Sequence, residues 1–448
     1  MARIHSVATH RWPHLDELSA YWLLKRFGEK HYPNASCARI IEWTAGIYDL
    51  IGGTPEQFAA DGWILVGVAG GKYDEHATAN SHGARGLCAS EMVAQDLGVI
   101  NADGVYIVPG TERLLRAVAL NDKAGKSGVL DLPAIVKALH ASGMEVYDVA
   151  KLCLEAFDAY YKVESGQTAK PAPVGGPGAM LARIHADWRQ SQFGLTDGDT
   201  LPQELKQLAA AVTAKRGSGN LGLGTILMML YRAGRAPHMV ARWAHIALEA
   251  LRQDQVRLFG CQAEYERALT METVGTLKVA VLQSDDDYVV RYARLADKPD
   301  VIIHRRSTGH VSIFGAGVDS FYDLVRAIRL EELRVMDSKA RRDYQWLGLG
   351  GSVPGLAQWF HFIMSKEGNR TLFNGGQVAP KVPPTRLSLE RILTLVRQAL
   401  NPAAWPDDRA ASCAAGHCTA GDIPCAWQDY GFVRCQKLYQ LSLRKSAG

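Results

Sequence analysis

The run Trp63-Ile64-Leu65-Val66-Gly67-Val68 constrains the fold more than any other stretch of the chain. It is apolar without alternation, the pattern of a strand covered on both faces, and such strands belong to parallel sheets with helices packed on each side. Two earlier segments suit neighbouring strands. Residues 3–9, Arg-Ile-His-Ser-Val-Ala-Thr, run into a polar turn and then a helix over Leu15 to Phe27, and residues 37–43 end in Gly- and Pro-containing turns. Helices are expected over 87–97, 112–120, 132–142 and 146–162. Strands alternating with helices predict a parallel α/β domain over residues 1–165.

The chain then changes character. Residues 165–178 hold three prolines among Gly, Ala and Thr, so 166–178 reads as a linker. A helical region is expected over 179–275, its longest helix running from about His238 to Thr273. Leu277 to Leu282, Tyr288 to Ala296, Val301 to His304 and Val311 to Phe314 read as four strands. Helices over 319–334 and 387–400 complete a second, smaller α/β domain spanning 276–405, and 406–448 is a cysteine-bearing tail.

Composition excludes little. At 448 residues, 47% hydrophobic and 21% charged, the chain suits a folded protein of more than one domain. Its net charge of +4 permits a nucleic-acid partner without arguing for one. No run approaches the ~18 apolar residues that span a bilayer. The first residues, Met-Ala-Arg-Ile-His-Ser, lack the apolar centre of a secretory signal. A cytoplasmic location without a membrane partner is therefore expected, and a homo-oligomer is allowed.

Two polar clusters fall at the carboxyl ends of predicted strands, where open α/β sheets gather their sites. The first is Thr9-His10-Arg11-Trp12-Pro13-His14-Leu15-Asp16-Glu17, whose imidazoles and carboxylates suit manganese, iron or zinc. Helix capping by His14 and Asp16 explains the same residues without a metal. The second is Gly67-Val68-Ala69-Gly70-Gly71-Lys72-Tyr73-Asp74-Glu75-His76, where glycines precede three ligand-type side chains. Alone, that segment also reads as a polar loop. A third stretch, Asn121-Asp122-Lys123-Ala124-Gly125-Lys126, stands at a helix end and is equally a plain helix stop.

In this order, Thr-His, His-x-Asp-Glu, Gly-Gly-x-Tyr-Asp-x-His and Leu-Asn-Asp resemble the melanocyte-proliferating-gene exonuclease family, a divergent branch of the DHH phosphoesterases. The resemblance covers about residues 3–160 and, with weaker signatures, the segment from His238 through Phe314. It implies a manganese- or magnesium-dependent phosphodiesterase or nuclease acting on single-stranded RNA or DNA, short oligonucleotides or nucleotides. The implied metal ligands are His10, His14, Asp16, Asp74, Glu75, His76 and Asp122, with Asp16, Asp74 and His76 catalytic. Lys72, Lys123, Lys126, Arg305 and Arg306 are the candidate phosphate-binding cations; for the arginines a solvated strand end is the competing reading. Two departures stand out. Glu75 replaces the middle histidine of the name-giving motif, and Gly67 stands where family members carry a strand aspartate. A chain with these changes is a one-metal enzyme, an enzyme of altered metal preference, or a nucleotide- or nucleic-acid-binding module without turnover.

Half of the eight cysteines, Cys413, Cys418, Cys425 and Cys435, fall in the tail, where soft ligands can hold a structural zinc. The spacing lacks a Cys-x-x-Cys knuckle, so incidental thiols are the alternative. The early cysteines, Cys88 among them, read as reduced, buried small hydrophobes. Trp12, Trp22, Trp43 and Trp63 offer faces for base stacking, although core packing accounts better for Trp22 and Trp63.

Overall fold

Period-two alternation sorts the first three strands between two cores. In the computed structural model, β1 (Ser6–His10), β2 (Arg39–Trp43) and β3 (Trp63–Leu65) form a parallel sheet in the order β2-β1-β3. Val7, Ile40 and Ile64 enter the large core on one face, whereas Ala8, Trp43 and Leu65 pack with Phe58 on the other. The structure describes residues 3–43, 53–75, 86–125, 127–167, 221–318, 320–336, 345–348, 359–363, 370–376, 382–401, 410–415, 425–433 and 435–436. The stretch 168–178 of the expected linker, together with His76, Lys126 and Cys418, lies outside them.

The large core is built on α1 (Leu15–Phe27), which begins at an extended His14. Asp16 and Glu17 in its first turn and Lys25 and Arg26 in its last complement the helix dipole. A short helix, α2 (Pro55–Ala60), brings in Phe58 under a Thr54–Gln57 capping box. Helices α3 (Ala89–Asp96), α4 (Glu112–Ala124), α5 (Leu132–Ala141) and α6 (Val146–Glu164) follow within residues of the expected bounds. The same core continues into α7 (Leu223–Arg232) and α8 (Pro237–Gly260) as far as Leu251, so these helices share the cluster of the first sheet. The chain accordingly divides into two compact units, Met1–Val256 and Arg257–Gly448.

Two expected elements change type. The long helix stops at Gly260, α9 (Gln262–Ala268) adds a further short segment, and Leu269–Val274 is a strand, β4. Gly275, at φ 64°, turns β4 back antiparallel onto β5 (Leu277–Gln283), which the β-branched residues of β4 favour over helix. Tyr288–Ala296, expected as a strand, is helix α10. Val289, Val290 and Ala293 are buried while Arg291 and Arg294 are exposed, which is helical spacing.

The second unit completes a mixed six-stranded sheet in the order β4-β5-β6-β7-β9-β8, with β6 (Val301–Arg305), β7 (Val311–Gly315), β8 (Phe360–Ile363) and β9 (Arg370–Phe373). Of its pairings only β5 with β6 is parallel. Helices α11 (Tyr322–Met336) and α12 (Leu389–Leu400) share one core with Val279, Val281, Val301 and Ile303. Val289, Val290 and Ala293 of α10 cluster instead with Ala280, Leu282 and Ile302. The molecule is thus mixed α/β, and among the described residues no helix is long and apolar enough to cross a membrane.

Trp22 anchors the first core. It is 1% exposed, its Nε1 donates to Asp158 Oδ1 at 2.9 Å, and its ring lies 5.7 to 6.0 Å from those of Phe27, Phe157 and Tyr161. Trp22→Ala is expected to lower unfolding free energy by about 3–5 kcal/mol, and Trp22→Phe by clearly less. Denaturant melts decide the matter: an alanine variant within 1 kcal/mol of wild type would show that this anchor is dispensable.

Candidate metal centre

Both strand-end clusters fold as tight turns. After β1, buried Pro13 presents its carbonyl to His140 Nε2 at 3.1 Å, and α1 then carries Asp16 and Glu17 into the interior, each 2% exposed. After β3, Val66 bridges to Tyr73 while Gly67, Ala69 and Gly70 take left-handed φ of 66°, 59° and 68°. Asp74 locks this loop by accepting the Gly70 N–H at 2.8 Å. Glycine suits two of those three positions because it lacks a Cβ.

Asp16 meets the amino end of α3. Its Oδ1 accepts from the Ser90 backbone N–H at 3.1 Å and from the Ser90 hydroxyl. Cys88 caps that helix; its N–H donates to Glu91 Oε2 at 3.1 Å and its Sγ lies 3.5 Å from Ser90 Oγ. Asp122, half-buried near the end of α4, closes the group. One ligand atom from each of Asp16, Cys88 and Asp122 lies within 4.8 Å of the others. Asp16 Oδ2 is buried and has no hydrogen-bond partner among the described residues.

The electrostatics follow from crowding acids in a poorly solvated place. Burial first, and Glu17 next, raise the Asp16 carboxyl above its usual range, against hydrogen bonds from Ser90 and Cys88. Glu75 is raised well above its usual value by burial and by Asp16, Glu17 and Asp122. Burial, then Asp16, Glu91 and Asp122, push the Cys88 thiol up as well. A divalent cation among these groups would remove the repulsion that favours their protonated forms.

The structure brings together some of the expected residues. Asp16 and Asp122 converge, and Glu75 lies close enough to feel both charges. His10 stands beside Glu17, Nε2 to Oε1 3.7 Å, while His14 is an exposed helix cap whose ring is 6.4 Å from that of His10. Asp74 and these histidines fall outside the Asp16–Cys88–Asp122 group. The expected phosphate-binding lysines are engaged: Lys72 pairs with Asp96 at 2.6 Å and Lys123 with Glu91 at 2.5 Å. Arg305 and Arg306 belong to the second unit, where Arg306 pairs with Asp287. In the tail, Cys425 and Cys435 pack against the second unit's core, and no metal-type group among the described residues includes Cys413, Cys425 or Cys435. Trp22 and Trp43 are core residues, and Arg11 lies over Trp12, 5.3 Å from its ring centre.

Sequence reasoning missed Cys88 and Ser90. The one local signal was Cys88 followed three residues later by Glu91, the spacing of a capping box, which marks a helix start rather than a ligand.

No family model and no curated protein matches the chain. A solved structure described as an uncharacterized protein from Helicobacter pylori G27 aligns with 71% of this chain and 87% of its own at 10% identity, with a TM-score of 0.17, a likeness that carries no argument.

Two measurements test this geometry. Asp16→Asn and Asp122→Asn are each expected to leave the metal-free protein at least as stable as wild type, because each removes a repelling charge. With manganese or zinc about 100-fold above its Kd the wild type should gain about 2.7 kcal/mol, and the variants much less. Equal gains in all three proteins would show that neither carboxylate is a ligand. The second concerns His140, which burial lowers to about 4 despite its bond to Pro13, with His14 adding a smaller downward push. Its buried Nδ1 has no hydrogen-bond partner among the described residues, so the neutral ring is the folded form. Unfolded, the imidazole titrates near ~6.5 and binds the extra proton, so stability is full above that pH and falls toward pH 4. His140→Gln should flatten that fall in urea melts between pH 7 and 4; an unchanged slope would assign the pH dependence to other groups.

Proposed function

We propose that the first unit holds a divalent cation between Asp16 and Asp122, beside Cys88, and hydrolyses phosphodiester bonds in single-stranded nucleic acid, short oligonucleotides or nucleotides. The observation that carries this reading is the convergence of the three ligand atoms within 4.8 Å beside a buried, unmatched carboxylate oxygen, Asp16 Oδ2. The two carboxylates offer oxygen donors that fit such an ion. The phosphodiester substrate comes from the resemblance of the motifs to the DHH phosphoesterases.

A bound divalent ion supplies Lewis acidity toward a phosphoryl oxygen and a water made acidic near neutral pH. The protein's own part is positional. Ser90 fixes Asp16 by holding Oδ1 with two donors, leaving Oδ2 for the ion. Glu75, whose acid form the neighbouring carboxylates favour, serves as proton donor to the leaving oxygen.

A nucleotide-binding module without turnover is the second reading, and Gly67 favours it. At φ 66°, a conformation L side chains rarely adopt, and with a Cβ 3.1 Å from Glu17 Cγ and 3.2 Å from Glu17 Oε1, the strand carboxylate implied by the resemblance would be strained here. Purified full-length chain incubated with manganese, magnesium or zinc and labelled RNA, DNA or a cyclic dinucleotide separates the two. Cleavage should require a cation, fall by at least about 100-fold in Asp16→Asn and in Asp122→Asn, and fall little further in the double variant. Binding without cleavage under every ion would sink the catalytic reading and leave the second.

A further inference from the structure

Cys88 occupies a position that its chemistry does not explain as packing. N-cap positions favour Ser, Thr, Asp or Asn, whose oxygens accept helix N–H groups; here the cap is a thiol, 1% exposed, within 4.8 Å of carboxylate oxygens of Asp16 and Asp122. We propose that Cys88 is itself a cation ligand, so that the ion shared with Asp16 and Asp122 belongs to the thiolate-accepting class, zinc, cobalt or ferrous iron, and not to the magnesium class. This rests on the cation-binding reading above and adds the identity of the ion.

The geometry supports it in three ways. Ligand atoms bound at roughly 2.0 to 2.3 Å around a tetrahedral ion stand about 3.3 to 3.8 Å apart, so a group already within 4.8 Å encloses one by side-chain movements on the order of 1 Å. Asp16 has Oδ1 committed to Ser90 and a buried Oδ2 without a hydrogen-bond partner among the described residues. The Cys88 backbone is fixed by its bond to Glu91, and Glu91 is in turn held by Lys123, next in sequence to Asp122. The thiol and the second carboxylate are thus tied to one another through an ion pair.

Ion choice then follows from ligand softness. Magnesium and calcium take oxygen donors, whereas sulfur selects zinc and other borderline ions. Coordination replaces the S–H bond with a sulfur–metal bond and releases the proton to solvent.

The test uses the full-length chain and metal ions alone. Cobalt-loaded wild type should show a sulfur-to-cobalt charge-transfer absorption in the near ultraviolet, and Cys88→Ser should bind cobalt without it. Zinc affinity should fall at least about tenfold in Cys88→Ser, while manganese and magnesium affinities change less than about threefold. Cobalt bound by the wild type without that absorption, or equal zinc affinity in wild type and Cys88→Ser, overturns the role of Cys88 while Asp16 and Asp122 stand as ligands. If instead no ion binds the wild type, or binding survives both Asp16→Asn and Asp122→Asn, the cation-binding reading fails and takes this inference with it. The wild-type spectrum alone decides the matter should the variant not fold.

Discussion

The tie between Asp16 and Ser90 is the interaction on which the first unit's candidate centre depends. It joins the first turn of α1, which follows the central strand, to the first turn of α3, 74 residues away with β2 and β3 in between. A carboxylate at 2% exposure is costly to bury without donors. Ser90 satisfies one oxygen with a backbone N–H and a hydroxyl, and the helix amino end favours negative charge there. Because one oxygen is pinned, the other keeps a fixed direction.

Around that pinned group the protein accumulates charge of one sign. Burial and Glu17 raise the proton affinity of Asp16, and burial, Asp16, Glu17 and Asp122 raise that of Glu75. Stability alone does not favour such an arrangement, since each buried acid costs more in the presence of the next. Perturbed acids in a cluster mark sites where chemistry or ion binding offsets that cost.

The second unit shows how this same chain buries charge when no unmatched oxygen remains. Glu332, fully buried, accepts from Trp359 Nε1 at 2.9 Å, from the Thr385 hydroxyl and from the Arg386 N–H at 2.9 Å. Buried Arg329 donates to the carbonyls of Leu347 and Trp359, each at 3.0 Å. Both Glu332 oxygens meet donors, and the network ties α11 to segments on either side of β9. A carboxylate satisfied on both oxygens in this way helps specify a core. Asp16, with one oxygen matched and one bare, is of a different kind.

Much of the first unit was legible in the sequence. The unbroken apolar run at 63–68 and the strand–turn–helix order at the start determined a parallel sheet with helices, because strand burial on two faces and helix amphipathicity are local patterns. The helix expected over Leu15 to Phe27 after the polar turn has those bounds in α1. Pattern failed where tertiary contacts decided: Tyr288–Ala296, expected as a strand, is helix α10 burying one helical face, and pairing with β5 makes Leu269–Val274 a strand. Asp16 and Asp122 were readable as candidates because carboxylates at strand and helix ends are conspicuous. The convergence of Cys88 with them was not, since a cysteine before a helix looks like any small buried residue. Only the packing of α3 and α4 against α1 sets its sulfur between two carboxylates, and distances between side chains far apart in sequence are a property of the folded chain alone.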